Sequence, residues 1–81
     1  MVVRATVLFR EELRPGQGYN DRPLEQAKRV PGVKDAFLTI GRFDGAVLIE
    51  GRDYHECSVA ALKINQIPGI RATETMFEVA S

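Results

Sequence analysis

The stretch at residues 37–50, FLTIGRFDGAVLIE, decides the fold. An apolar run enters through Phe37, Leu38 and Ile40, breaks at Gly41-Arg42-Phe43-Asp44-Gly45, and a second run leaves through Ala46, Val47, Leu48 and Ile49. Two short apolar runs joined by a few Gly and Asp residues form a β-hairpin. Its tip packs two glycines, an arginine, an aromatic ring and a carboxylate into five positions. No other stretch places so much chemistry at a forced turn, so a ligand site is expected here.

Downstream, 45–50 is a strand whose near-continuous apolar run marks a central position. Gly51-Arg52-Asp53 ends it, and Asp53 with Glu56 has capping-box spacing, so a helix starts near Tyr54 and runs to about Gln66. Its buried stripe is Cys57, Ala60, Ala61, Ile64 and Ile67. IPGI at 67–70 stops it, and 71–79 is a last strand. Upstream, 33–40 is the strand that enters the hairpin. Before it lies a short helix, with Asn20 or Asp21 as cap, Pro23 in the first turn, and Leu24, Ala27 and Val30 at spacing three. Residues 10–20, with Pro15-Gly16 and Gly18, form a polar connection expected to be the most mobile segment. Residues 2–9 alternate as a first strand, with Val3, Ala5, Val7 and Phe9 on one face and Val2, Arg4, Thr6 and Leu8 on the other.

VPGV at 30–33 and IPGI at 67–70 are the same punctuation, 37 residues apart. Each follows a helix and precedes a strand, so the chain is two strand–helix–strand units in tandem. Right-handed crossovers then give an α+β, ferredoxin-like βαββαβ fold: a four-stranded antiparallel sheet of order 4-1-3-2 with both helices on one face. Strands one and three are apolar on both faces, yet the helices cover only one. The other face is expected to pack against a second copy in an isologous dimer, sheet on sheet.

Composition bounds the rest. Eighty-one residues make one domain, 1–81, whose own core is marginal because so short a chain buries only about 60–65% of its unfolded surface. Eleven basic residues balance eleven acidic ones, which argues against a nucleic-acid-binding module. One Cys and one His provide neither a disulfide nor the four ligands of a structural zinc site, and no cofactor or metal is expected. With no run of about 18 apolar residues and no signal peptide, no membrane association is expected and a cytoplasmic protein is the default.

The element order, VPGV before strand two, TIGRFDG at the hairpin, IPGI before strand four and TETMF within it together resemble the effector-binding (RAM) domain of Lrp/AsnC regulators. The resemblance spans residues 2–79. GRFDG with RATETM is also similar to the GYD domain, a related dimeric α/β-barrel family. Because the chain starts directly at strand one, it resembles a stand-alone RAM module without the helix-turn-helix of full-length regulators. The resemblance implies homodimers that associate into rings, octamers among them, with an amino-acid effector bound between dimers near the hairpins. It also implies a partner, either a full-length Lrp/AsnC regulator or an enzyme of amino-acid metabolism. The family's loop motif falls on Gly41, Arg42, Phe43 and Asp44, and its strand-four motif on Thr73 and Thr75 with Met76 beside them. Departures are Arg42 in the loop, the lengthened 10–20 connection and Pro23 in the first helix.

Each residue has two readings. Asp44 accepts from an effector's ammonium, or bonds its own backbone in an Asx-turn. Arg42 or the amides at Gly41 hold the carboxylate, or the glycines merely turn the chain. Phe43 walls a side-chain pocket, or plugs the core. Thr73 and Thr75 share a face and reach a ligand or partner, or simply suit an edge strand, with Glu74 and Glu78 opposite them as solvent or interface charges. His55 is expected exposed on the second helix and without a catalytic role, Cys57 buried as a small core residue. RPGQGY at 14–19 lacks the lysine and spacing of a phosphate loop. No catalytic residue is assigned. The rival functions are a small dimeric α/β-barrel enzyme (a cofactor-free monooxygenase or isomerase), which needs titratable groups on the apolar inner wall, and a purely structural oligomerisation module.

Overall fold

The computed structural model describes residues 2–12 and 22–79. The elements are β1 (Val3–Glu11), α1 (Arg22–Lys28), β2 (Val33–Leu38), β3 (Gly45–Gly51), α2 (Tyr54–Asn65) and β4 (Ile70–Phe77). The strands form one antiparallel sheet in the order β2-β3-β1-β4, the expected 4-1-3-2 order read from the other edge. The expected cap at Asn20 or Asp21, and most of the 10–20 connection, lie outside the described residues.

The tandem repeat is visible bond by bond. Val33 N donates to Val30 O and Ile70 N to Ile67 O, both at 3.1 Å, closing Pro-Gly turns in which Gly32 and Gly69 have φ of 95° and 94°. Proline at the second position and a left-handed glycine at the third mark a type II turn, which only glycine accommodates without strain. One turn earlier, Val30 N donates to Ala27 O and Ile67 N to Ile64 O, again both at 3.1 Å. The same tight last turn ends both helices and feeds both strands.

One sheet face and the two helices enclose the core: Val3, Ala5, Val7 and Phe9 of β1, Val47 and Ile49 of β3, Leu24 and Ala27 of α1, and Cys57, Ala60, Ala61 and Ile64 of α2. Ile67 closes it below, so the α2 stripe is as expected. Burial pushes the Cys57 thiol up, and its Sγ donates to Val3 O at 3.4 Å. Gly45 opens β3, and the far end of the Phe9 ring occupies the space beside it: a Cβ there would stand 2.2 Å from Phe9 Cζ.

Boundaries differ from expectation for identifiable reasons. β1 continues through Arg10 and Glu11 because β4 pairs with both, and Glu12 N reaches Gly69 O at 2.8 Å. β2 stops at Leu38, not residue 40: Thr39 N donates to Asp44 O at 2.9 Å, which turns the chain and leaves Ile40 99% exposed. β4 begins one residue earlier and ends at Phe77. Only half of the capping box forms. Asp53 accepts from Glu56 N at 2.8 Å, but the Glu56 carboxylate turns to Arg52, taking its backbone amide at 2.7 Å and its guanidinium at 2.8 Å. Those hydrogen bonds hold the Glu56 carboxyl below its ordinary range.

The sheet's other face has no covering element among the described residues. The register places Arg4, Thr6, Leu8 and Arg10 of β1 on it, with Ala46, Leu48 and Glu50 of β3, Asp35 and Phe37 of β2, and Glu74 and Met76 of β4. Phe37, Leu48 and Met76 are 42%, 37% and 46% exposed. At one end Arg4 bridges Glu50 (3.1 Å) and Glu78 (3.6 Å), and its guanidinium is held charged by them.

Candidate functional site

Where the hairpin tip folds against the ends of β1 and β4, a cleft of about 760 Å³ opens. β1 contributes Arg10 and Glu11, the hairpin Arg42, Phe43 and Asp44, and the start of β4 Arg71, Ala72, Thr73 and Glu74. Four of the expected site residues therefore meet here: Arg42, Phe43, Asp44 and Thr73. Gly41, with φ of 144°, shapes the loop without lining the cleft. Thr75 sits one pair further along, opposite Val7 on the helix side, and Met76 lies opposite Thr6 on the uncovered face; neither lines the cleft.

Asp44 holds the cleft's wall in place. Its Oδ2 accepts from Glu11 N at 2.9 Å and its own amide donates to Phe9 O at 2.8 Å, so the tip is fastened to β1. Arg10 Nε donates to Arg42 O at 2.9 Å, and Thr39 Oγ1 to Phe43 O at 2.7 Å. With Thr39 N on Asp44 O, the carbonyls of residues 42, 43 and 44 are all engaged, and the loop has a defined shape. An Asx-turn is not what Asp44 makes; it bonds across to the neighbouring strand. Phe43 is half-buried at the cleft wall and is not part of the core cluster. Losing a hydrogen bond to a charged acceptor costs about 1.5–3 kcal/mol. Asp44→Ala should therefore lower stability by about 2 kcal/mol, and Asp44→Asn by less because its amide oxygen still accepts; urea titration checks the order.

β4 reaches the cleft through a bulge. Three residue steps from Arg71 to Glu74 face only two from Leu8 to Arg10, and Ala72 takes up the difference in the left-handed region at φ 50°. That conformation costs a non-glycine residue about 1–2 kcal/mol, against about 0.4–1 kcal/mol of extra chain entropy that glycine would lose on folding. Ala72→Gly is expected to stabilise the fold by about 0.5–1 kcal/mol. A lower denaturation midpoint would mean that the methyl group's contacts outweigh the strain.

Arg10, Glu11, Arg71, Ala72 and Glu74 are the cleft residues that sequence reasoning missed. Glu11 is only 6% exposed, the one buried charged residue among those described. Its signal was present: it continues the i, i+2 series of Val3, Ala5, Val7 and Phe9 by one step. Arg10 and Arg71 become neighbours only through strand pairing, which no local pattern contains. His55 is exposed in the first turn of α2, and it borders a smaller recess of about 260 Å³ with Pro31, Val59 and Lys63. Among the described residues no three His, Cys, Asp or Glu side chains are grouped to hold a metal, and no helix is long and apolar enough to cross a membrane.

No family model matches the chain, and no curated protein matches it. Solved structures do. FFRP-DM1 is 26% identical with a TM-score of 0.80, over 95% of this chain and 99% of that one. AsnC of E. coli gives 18% identity and a TM-score of 0.78 over 98% of this chain. The transcriptional regulator NMB0573 of Neisseria meningitidis, solved as a complex with L-Met, gives 15% and 0.77 over 96%. The chain spans about half the length of these two regulators, 52% and 50%. In fold, the chain resembles the Lrp/AsnC-type regulators among these structures.

Proposed function

We propose that this chain is a regulatory module that binds a small amino-acid-like effector in the cleft at the hairpin tip and acts through assembly with a partner, modulating transcription or amino-acid metabolism. The observation that carries the reading is the convergence of Arg42, Phe43, Asp44 and Thr73 on one cleft, held rigid by the bonds of Asp44. Arg42 supplies a planar fork for a carboxylate, Asp44 its second carboxylate oxygen for an ammonium, and Phe43 a wall for the side chain. The likeness to NMB0573, solved with L-Met, supports this class of ligand. The uncovered sheet face supports a homodimer, since it exposes Phe37, Leu48 and Met76 among its charged residues and a second copy would cover them, and a ring of dimers would close the open side of the cleft.

One observation favours a second reading, as an enzyme: Glu11 is a titratable group at the end of an otherwise apolar inner wall. Similarity to transcriptional regulators supports the non-enzymatic reading instead.

The test is a thermal-shift panel of the twenty amino acids with mass followed by light scattering. A ligand at about 100 times its Kd adds about 2.7 kcal/mol to the native state, which for a chain of this size raises Tm by roughly 10–20 °C. One or two amino acids should do so and alter the assembly. A flat panel on an intact multimer would replace the proposal with a structural scaffold.

A further inference from the structure

Arg10 and Arg71 stand directly opposite each other on adjacent antiparallel strands, and both line the cleft. Like charges at directly opposed positions of one sheet face repel and are destabilising. Arg10 Nε holds the Arg42 backbone carbonyl at 2.9 Å, and Arg42 is the third arginine that lines the same cleft. Among the described residues neither Arg42 nor Arg71 has an ion-pair partner. The carboxylates nearby do not resolve this. Asp44 Oδ2 is bonded to the Glu11 amide, Glu11 is buried, and Glu74 is exposed one pair further along, opposite Leu8. The arrangement is a set of planar, fork-shaped donors held apart by the backbone, with an anion's worth of attraction unrealised between them.

A neutral amino acid has one carboxylate and needs one such fork. Resting on the effector reading above, we infer that the ligand class is an acidic amino acid, with one carboxylate on Arg42 and the second between Arg10 and Arg71. Asp44 Oδ1 or Glu74 then takes the ammonium. An anion placed between the opposed arginines turns their repulsion into attraction, so binding and strand pairing at the bulge reinforce one another.

Isothermal titration calorimetry on the intact chain compares L-glutamate and L-aspartate with L-glutamine, L-asparagine and inorganic phosphate, for the parent and for Arg71→Gln. At least one acid should bind about tenfold or more tighter than its amide and than phosphate, as expected for one charge-assisted pair. Arg71→Gln should abolish that preference while its ligand-free Tm stays at or above the parent's, because the cross-strand repulsion is gone. Amides binding as tightly as acids would overturn the acidic assignment and leave the effector reading standing. Phosphate binding as tightly as glutamate would reduce the site to a general anion hole, and an unchanged preference in Arg71→Gln would remove the arginine pair from the site; either overturns the inference. If none of the twenty amino acids binds, the effector reading falls and takes this one with it.

Discussion

Gly45→Ala should be the most damaging of the Gly→Ala changes among the described residues. The new Cβ would stand 2.2 Å from Phe9 Cζ and 2.6 Å from Cε2, well inside contact distance, and Phe9 is wholly buried. The ring has nowhere to go: it fills the core between the sheet and the helices, and Gly45 pairs with Phe9 itself across β1 and β3. Overpacking of this kind costs about 1–3 kcal/mol and sometimes more. We expect about 3 kcal/mol, which in a chain of this size lowers Tm by roughly 12–24 °C. A second substitution, Phe9→Leu, separates the cause: it shortens the side chain that clashes, so Gly45→Ala should cost less in that background than in the parent. A cost independent of residue 9 would show that the backbone at residue 45, and not the ring, demands glycine.

Leu48→Asp should dissolve the proposed dimer while sparing the protomer. Leu48 lies at the middle of the uncovered sheet face, between Thr6 on β1 and Asp35 on β2, and is already 37% exposed, so a carboxylate there stays solvated in a single chain. In an isologous interface built on this face each copy brings an introduced carboxylate into the buried patch, and both must lose water there. A penalty of about 4 kcal/mol raises the dimer's Kd about a thousandfold. Light scattering should show the mass falling to that of one chain, with the circular dichroism of the fold retained. Parental mass in the variant would mean that copies associate through another surface. Because so small a core is marginal, the separated chain should also melt at a lower temperature than the assembly.

How much of this was legible before the structure depends on the range of the interaction involved. The paired VPGV and IPGI turns, the strands on either side of them and the apolar stripe of α2 were all readable, because each rests on contacts within a few residues: a proline's fixed φ, a glycine's left-handed conformation, a side-chain period of about 2.0 or 3.6. The two-sided apolar character of β1 and β3 also announced their central places, since burial is written into composition. The capping box was read from the same local spacing and was half right, because Arg52 next door competed successfully for the Glu56 carboxylate.

What the hairpin tip does was decided by tertiary structure. An Asx-turn was the local expectation for Asp44, yet its carboxylate is used by the Glu11 amide, 33 residues away along the chain. Gly45 looked like a turn residue and is instead the space into which Phe9, far upstream on β1, lays its ring. The bulge at Ala72, and with it the placement of Arg71 against Arg10, exists only because β4 carries one residue more than β1 can pair over that span. Sequence by itself determined the elements, their order and the place where chemistry would gather. Strand pairing brings residues from distant segments to within about 5 Å, and it alone decided which side chains share the cleft and that three of them are arginines.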